Sequence, residues 1–253
     1  MRVPPQKLCK ERLDTLLFQK GLVKSREQAG RCILAGLVRV NGEPVDKRGK
    51  LVEVEARIEL VQPPSAFVSR GGDKLAAAMD AFSIDGQGLI AMDVGASTGG
   101  FTDCLLQRGV SRVYAVDVGY GQLDWKIRND SRVVVLERSN IRHLNPLTVP
   151  DSIDLVVIDV SFISLELVIP CIMKFLSPAA KIIALVKPQF EVGAGQVGRG
   201  GIVRDEGLRQ AVKQKILALA GKCKLVELGT MDSPVLGRKG NREILVVFEK
   251  GMK

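Results

Sequence analysis

Four ionisable residues stand where strands and helices should open into a cleft. Asp159 follows the apolar run "DLVVI" and Lys187 follows "IIALV", so each ends a strand that should be buried up to that point. Lys74, in "SRGGDKLAAAM", lies at the start of a helix, and Glu243, in "GNREILVVF", stands at the start of the last strand. Brought together, these give two cations and two carboxylates in one cleft. Such a set suits removal of a proton from a weak oxygen acid. A lysine can stabilise the developing alkoxide, or take the proton itself where burial and a neighbouring cation lower its pKa. Asp159 and Glu243 would hold the lysines and limit the electrostatic cost of gathering them.

The loop that would serve this cleft is "MDVGASTGGFTD", Met92 to Asp103. A strand carries Asp93 and Gly95 into a turn containing Ser97 and Thr98, and a helix should start near Gly99, Gly100 and Phe101. Gly95 would let the backbone approach a nucleotide-like ligand, and the helix start would offer free N–H groups. The order G-A-S-T-G-G is not the G-x-G-x-x-G of dinucleotide enzymes. Asp117, ending the next strand in "AVDVGYG", can accept both ribose hydroxyls of an adenosyl group, and Glu137, at the end of "RVVVLE", falls near the base. With Asp93 close to the loop, the site suits the positively charged sulfonium and amino acid portions of S-adenosylmethionine. The sulfonium methyl is already activated, so a hydroxyl acceptor would be the partner needing help.

Composition bounds the rest. With 253 residues, 46% hydrophobic, the chain has room for one large domain or two unequal ones. Its apolar runs are strand-length, and the N-terminus lacks the apolar stretch of a signal peptide, which points to a soluble cytoplasmic protein. Five scattered cysteines without a C-x-x-C pair and a lone histidine, His143, argue against disulfides and against a metal site. The formal charge is +9, and residues 1–62 carry +5 of it, a concentration that suggests a polyanionic partner.

Two organisations succeed one another along the chain. Leu13, Leu16 and Leu17 share a helical face ended by Gly21, and "SREQ" at Ser25 reads as a capping box for a second helix. "LVRVNGEPV" and "KLVEVEARIEL" then supply strands with a turn at Asn41-Gly42. This small α+β unit resembles the S4 RNA-binding domain through "ERLDTLL", "SREQAGRCILAGLVRVNGEPV" and "KRGKLV". The resemblance implies that Arg12, Lys24, Arg26 and Arg31 meet phosphates of structured RNA. We expect this domain over 1–61, a proline-stiffened linker over 62–67, and a second domain over 68–253. From there seven apolar strands alternate with helices, predicting a mainly parallel α/β sheet of Rossmann-like type whose last two strands, joined without a helix, pair antiparallel.

Residues 66–250 resemble the FtsJ-like ribose 2'-O-methyltransferases, through "VSRGGDKL", "DVGASTGGFTD", "DVGYGQLDWKIRND", "DLVVIDVSFISL", "LVKPQFEVGAGQVGRGGIVRD" and "GNREILV". With the S4-like unit in front, nearly the whole chain is similar to the TlyA family of rRNA 2'-O-methyltransferases, also called hemolysin A. The resemblance implies a Lys-Asp-Lys-Glu tetrad at Lys74, Asp159, Lys187 and Glu243, S-adenosylmethionine as cofactor, a cytidine ribose of ribosomal RNA as substrate, and ribosomal RNA or ribosomal subunits as partner. Two other classes compete with this expectation: a membrane-acting hemolysin, and a non-catalytic RNA-binding or ribosome-assembly factor. Between Gln189 and Asp205 the five glycines predict a mobile loop without regular structure.

Overall fold

The apolar runs become strands covered on both faces. The computed structural model describes residues 9–61, 64–237 and 240–251, and divides into two units, Met1–Ala66 and Phe67–Lys253. In the second unit seven strands form one sheet: β6 (Ile90–Val94), β7 (Arg112–Val116), β8 (Val133–Leu136), β9 (Ile153–Ile158), β10 (Leu176–Val186), β11 (Leu225–Asp232) and β12 (Ile244–Lys250), in the order β11-β12-β10-β9-β6-β7-β8. The five central and distal strands β10, β9, β6, β7 and β8 run parallel, and β12 is antiparallel to both β10 and β11. This is the expected doubly wound, Rossmann-like arrangement.

Alternation along each strand decides which side chain goes where. Ile153, Val156 and Ile158 of β9, Ile182, Ala184 and Val186 of β10, and Ile244, Val246 and Phe248 of β12 enter one core with α6 (Leu165–Ile172) and α8 (Glu206–Lys222). Leu155 and Val157, Ile183 and Leu185, and Leu245 and Val247 enter the other, against α3 (Gly71–Ala81) and α4 (Gly100–Gln107). Two single turns, α5 (Trp125–Arg128) and α7 (Pro188–Glu191), complete the unit.

The first unit holds β1 (Lys10–Arg12), α1 (Leu13–Gln19), α2 (Arg26–Leu34), β2 (Val38–Val40), β3 (Glu43–Pro44), β4 (Leu51–Glu53) and β5 (Ile58–Leu60). Leu13, Leu16, Leu17, Ala29, Cys32 and Ile33 are buried in its own core. Ser25 Oγ caps α2 by accepting from the Gln28 N–H. The expected reciprocal arm is displaced by one residue, since Gln28 Oε1 accepts from Lys24 N–H at 2.7 Å. Strand β1 has no apolar pattern of its own and exists through its antiparallel pairing with β4. Gln62 and Pro63, within the expected linker, lie outside the described residues. Phe67, at the linker's end, packs its ring against Gly72 of α3, where a Cβ would lie 2.3 Å from it.

The glycine-rich stretch after Lys187 departs from expectation. Pro188, at the first helical position, starts α7, residues 194–196 form a 3-10 turn, and Gly198 bridges Ile202 antiparallel. Glu191 is buried there and accepts from Ser164 Oγ (2.6 Å) and the Leu165 N–H (2.8 Å). Burial outweighs those bonds and raises its pKa above the usual carboxylate value. Tertiary partners distant in sequence impose order that local composition does not encode.

Candidate active site

Strand parity gathers the ionisable residues. Asp159, one step beyond β9, has the parity of Leu155 and Val157. Lys187 beyond β10 has that of Ile183 and Leu185, and Glu243 before β12 that of Leu245 and Val247. All three therefore turn toward the sheet face covered by α3, which brings Lys74. Val186 pairs with Ile244, so Lys187 and Glu243 are the next residues out on adjacent strands.

The four side chains line one cavity of about 560 Å³. They form two ion pairs: Lys74 Nζ to Glu243 Oε2 at 2.5 Å, and Lys187 Nζ to Asp159 Oδ1 at 2.6 Å. Lys187 also donates to Ser161 Oγ at 3.0 Å. The side chains of Lys74, Lys187 and Glu243 are 10%, 11% and 3% exposed, so these charges are desolvated and depend on one another.

The expected cofactor loop supplies another part of the wall. Gly95, Ser97, Thr98, Gly100 and Phe101 line the same cavity. Gly95 (φ 89°) has a role beyond ligand approach: a Cβ there would sit 2.7 Å from the Asp159 carbonyl oxygen, so the loop can lie on the end of β9 only without a side chain. At Gly100 a Cβ would meet Ser69 Oγ at 2.1 Å and the Gly72 nitrogen at 3.1 Å. Its absence lets the starts of α3 and α4 meet, which sets Lys74 beside the loop.

The remaining expected cofactor residues divide. Gly99 caps α4 (φ 92°), with its Cβ direction closed by Leu123 and Ile127 rather than by the cavity. Asp117 accepts the N–H groups of Ser97 (2.7 Å) and Gly119 (2.6 Å), and with Glu137 lines a separate small recess. Glu137 pairs with Arg128 and accepts the Gly121 N–H at 2.9 Å. Asp93 is the correction. It is fully buried under the loop, where Oδ2 accepts Thr102 Oγ1–H at 2.7 Å and Oδ1 has no partner, and it does not line the cavity. Burial pushes its pKa up to about 7, against the lowering effect of Thr102 and with further raising by Asp159 and Asp117. A buried group of this kind supports the loop from beneath and does not open on the cavity.

Several lining residues carried no clear signal in the sequence. Ser161 was one neutral letter between Asp159 and an apolar run. Gln189 lines the cavity with a buried, unpartnered Oε1. Phe162 is 90% exposed in a left-handed conformation (φ 64°), its ring 4.9 Å from that of Phe190, and both rings line the cavity. A bulky residue at positive φ is strained and marks a backbone fixed by its surroundings.

In the first unit, Asp14 gathers two of the expected basic residues. Arg12 donates to both its oxygens (3.0 and 2.7 Å), and Arg26 lies 3.7 Å away. The Arg12 guanidinium holds the Asp14 carboxyl below its ordinary pKa. Arg31 pairs with Glu27 at 2.9 Å, and Lys24 is exposed. Arg48 was not singled out, yet its guanidinium lies across Gly30 of α2, where a Cβ would sit 2.0 Å from it. Its group joins the α2 surface because Gly30 has no side chain.

Among the described residues no group of His, Cys, Asp and Glu is placed to hold a metal ion, and no helix is long and apolar enough to cross a membrane. Comparison with known proteins gives this geometry a context. Residues 11–58 match the S4 domain and residues 67–250 match the FtsJ-like methyltransferase. The chain is 48% identical over 236 residues to the 16S/23S rRNA (cytidine-2'-O)-methyltransferase TlyA of Mycobacterium tuberculosis, covering 92% of this chain and 87% of that one. It is 42% identical to Hemolysin A of Brachyspira hyodysenteriae, covering 94% and 99%. A solved Streptococcus thermophilus protein, provisionally called a hemolysin, superposes with a TM-score of 0.76 at 42% identity, over 96% of this chain and 90% of that one. Sequence, fold and cavity agree: the chain belongs to the FtsJ-like methyltransferase family and carries an S4 domain ahead of the enzyme fold.

Proposed function

We propose that this enzyme transfers the methyl group of S-adenosylmethionine to the 2'-hydroxyl of a cytidine ribose in ribosomal RNA. The observation that carries the reading is the convergence of the Lys74–Glu243 and Lys187–Asp159 pairs on one cavity beside the glycine-rich loop. In this reading residues 1–61 dock RNA, 62–67 link, 68–253 catalyse, and the protein works in the cytoplasm where ribosomal subunits are.

The residues present fit the cofactor. The loop from Gly95 to Phe101 walls the cavity, with Asp117 and Glu137 at an adjoining recess. Each Asp117 oxygen that accepts an N–H retains capacity for a ribose hydroxyl. When bound, S-adenosylmethionine would supply an electrophilic methyl on a sulfonium, with a neutral thioether as the leaving group. The work of the protein falls on the acceptor. An ammonium has three donors; Ser161 engages one at Lys187 and Asp159 lies 2.6 Å away as its ion-pair partner, leaving donor capacity for the oxygen charge that develops as the ribose hydroxyl gives up its proton to solvent. Lys74, fixed by Glu243, places a second cation on the cavity wall. Phe162 and Phe190 offer ring faces at the same wall, suited to stacking a splayed-out base.

The test is incubation of purified protein with each bacterial ribosomal subunit and radiolabelled S-adenosylmethionine, with Lys187→Ala alongside. Label that resists alkaline cleavage at one cytidine and vanishes in the variant supports the reading. Absence of RNA label from either subunit, with cofactor binding demonstrated, overturns it. The hemolysin alternative requires lysis of liposomes by the purified protein at low concentration.

A further inference from the structure

We propose that Asn241 is a positioning residue that ties the glycine-rich segment 198–203 to the strand end carrying Glu243, so that the cavity wall and the Lys74–Glu243 pair form together. The proposal rests on the methyl-transfer reading for its kinetic consequence, though not for its structural one.

Asn241 is 3% exposed and both ends of its amide are used. Its Oδ1 accepts the Val203 N–H at 2.9 Å, and its Nδ2 donates to the Gly201 carbonyl at 2.8 Å. Its own carbonyl accepts the Gly237 N–H at 2.8 Å, closing the described part of the β11–β12 connection around it. Only Asn at this length presents one donor and one acceptor side by side to two backbone positions two residues apart. A buried amide satisfied in this way holds its segment firmly, because separating it leaves four polar groups to find new partners.

What it ties together matters for the site. The segment folds back on itself, with Gly201 N–H donating to the Gly198 carbonyl at 3.0 Å and Gly198 N–H to the Ile202 carbonyl at 3.2 Å. Gly201, Asn241 and Glu243 all line the cavity. Glu243 is two residues beyond Asn241, and a Cβ at Gly237 would lie 2.5 Å from its Oε1, so the same connection wraps the carboxylate that holds Lys74. The other end of the glycine-rich stretch is fixed separately, by Glu191 on Ser164 and Leu165. Lifting the segment from the cavity therefore breaks the Asn241 bonds and frees the backbone that aims Glu243. Asn241 acts through Glu243 and is not itself a catalytic residue.

The experiment compares wild type, Asn241→Asp and Asn241→Ala in two readouts, with thermal melting as the check of fold. Asp is isosteric and keeps the acceptor for Val203, but sets an oxygen against the Gly201 carbonyl. Limited trypsin digestion followed by mass spectrometry reads cleavage after Arg199 and Arg204. Steady-state methyl transfer to ribosomal subunits reads kcat and KM. The expected result for Asn241→Asp is cleavage faster by roughly tenfold, as the loss of one buried hydrogen bond implies. With it, kcat falls about 10- to 100-fold while KM for cofactor and RNA changes little, the signature of misplacement. Faster cleavage with unchanged kcat overturns the link to Glu243, and unchanged cleavage in both variants overturns the tie itself. If Asn241→Ala fails to fold, Asn241→Asp decides. If wild type transfers no methyl to either subunit, the function reading has failed, and the cleavage rates alone judge the tie.

Discussion

Both units of this chain gather charged side chains, and they do so in opposite ways. In the methyltransferase unit the four charges stand in two largely desolvated pairs: Lys74 and Glu243 are buried, and Lys187 and Asp159 are 11% and 22% exposed. In the S4 unit Arg12 and Arg26 are half exposed, 50% and 55%, although both lean on buried Asp14. A desolvated pair cannot lose one member without stranding the other. An exposed arginine gives up less when it turns to a phosphate, because its own charge is already half solvated and Asp14 keeps the Thr15 N–H and the second arginine. The difference separates chemistry from docking: one site should fail at a single substitution, the other should weaken by degrees and respond to salt.

The largest expected effect follows at the buried site. Lys187→Ala should lower kcat by roughly 10² to 10⁴-fold, the usual contribution of a positioned acid–base group, with RNA affinity by filter binding unchanged. Retained activity would place Lys187 among structural ion pairs and dissolve the contrast. Next is Glu243→Ala, which leaves the Lys74 ammonium 10% exposed without its carboxylate. The expected loss is about 3–5 kcal/mol of unfolding free energy by urea titration, together with activity. An unchanged midpoint would show that the cavity admits enough water to solvate Lys74.

At the exposed site the effects should be smaller and graded. Replacing Arg12 and Arg26 together by Gln should weaken RNA binding severalfold and flatten the dependence of log K on log salt by about one to two, without altering kcat at saturating RNA. A complete loss of binding would show that the two arginines act as a buried pair does, and the contrast between the units would be wrong.

How much of this was legible in the sequence follows from the range of the interactions involved. Asp159, Lys187 and Glu243 each adjoin a run of apolar residues, and strand alternation carries them to one face, so local pattern sufficed. Lys74 had only its place at a helix start, and family resemblance joined it to the other three. Strand β1, "KER", could not be read because its state is decided by β4, some forty residues away. The glycine-rich stretch was misjudged for the same reason: Glu191 and Asn241 order it through partners on other elements. Asp93 looked like a ligand contact by position, but it lies inside β6, level with Val157 rather than with Asp159 at the strand end, and is buried beneath the loop on Thr102.

Asp93 also supplies the sharpest test of whether burial governs the methyltransferase unit. Its folded pKa is raised to about 7 from an ordinary 3.8, chiefly by desolvation. The native state therefore binds a proton more tightly than the unfolded chain between those values. Its contribution to stability is fully present below about pH 4, declines as pH rises, and is gone above about pH 7, at a slope of up to about 1.4 kcal/mol per pH unit. Asp93→Asn cannot titrate and should remove that decline. Urea midpoints measured from pH 4 to 8 should then run flatter in the variant than in wild type, with the two diverging most above pH 7. Parallel curves would mean that water reaches the unpartnered Oδ1 and solvates the carboxylate, and the floor of the cofactor loop would be wetter than the packing around it implies.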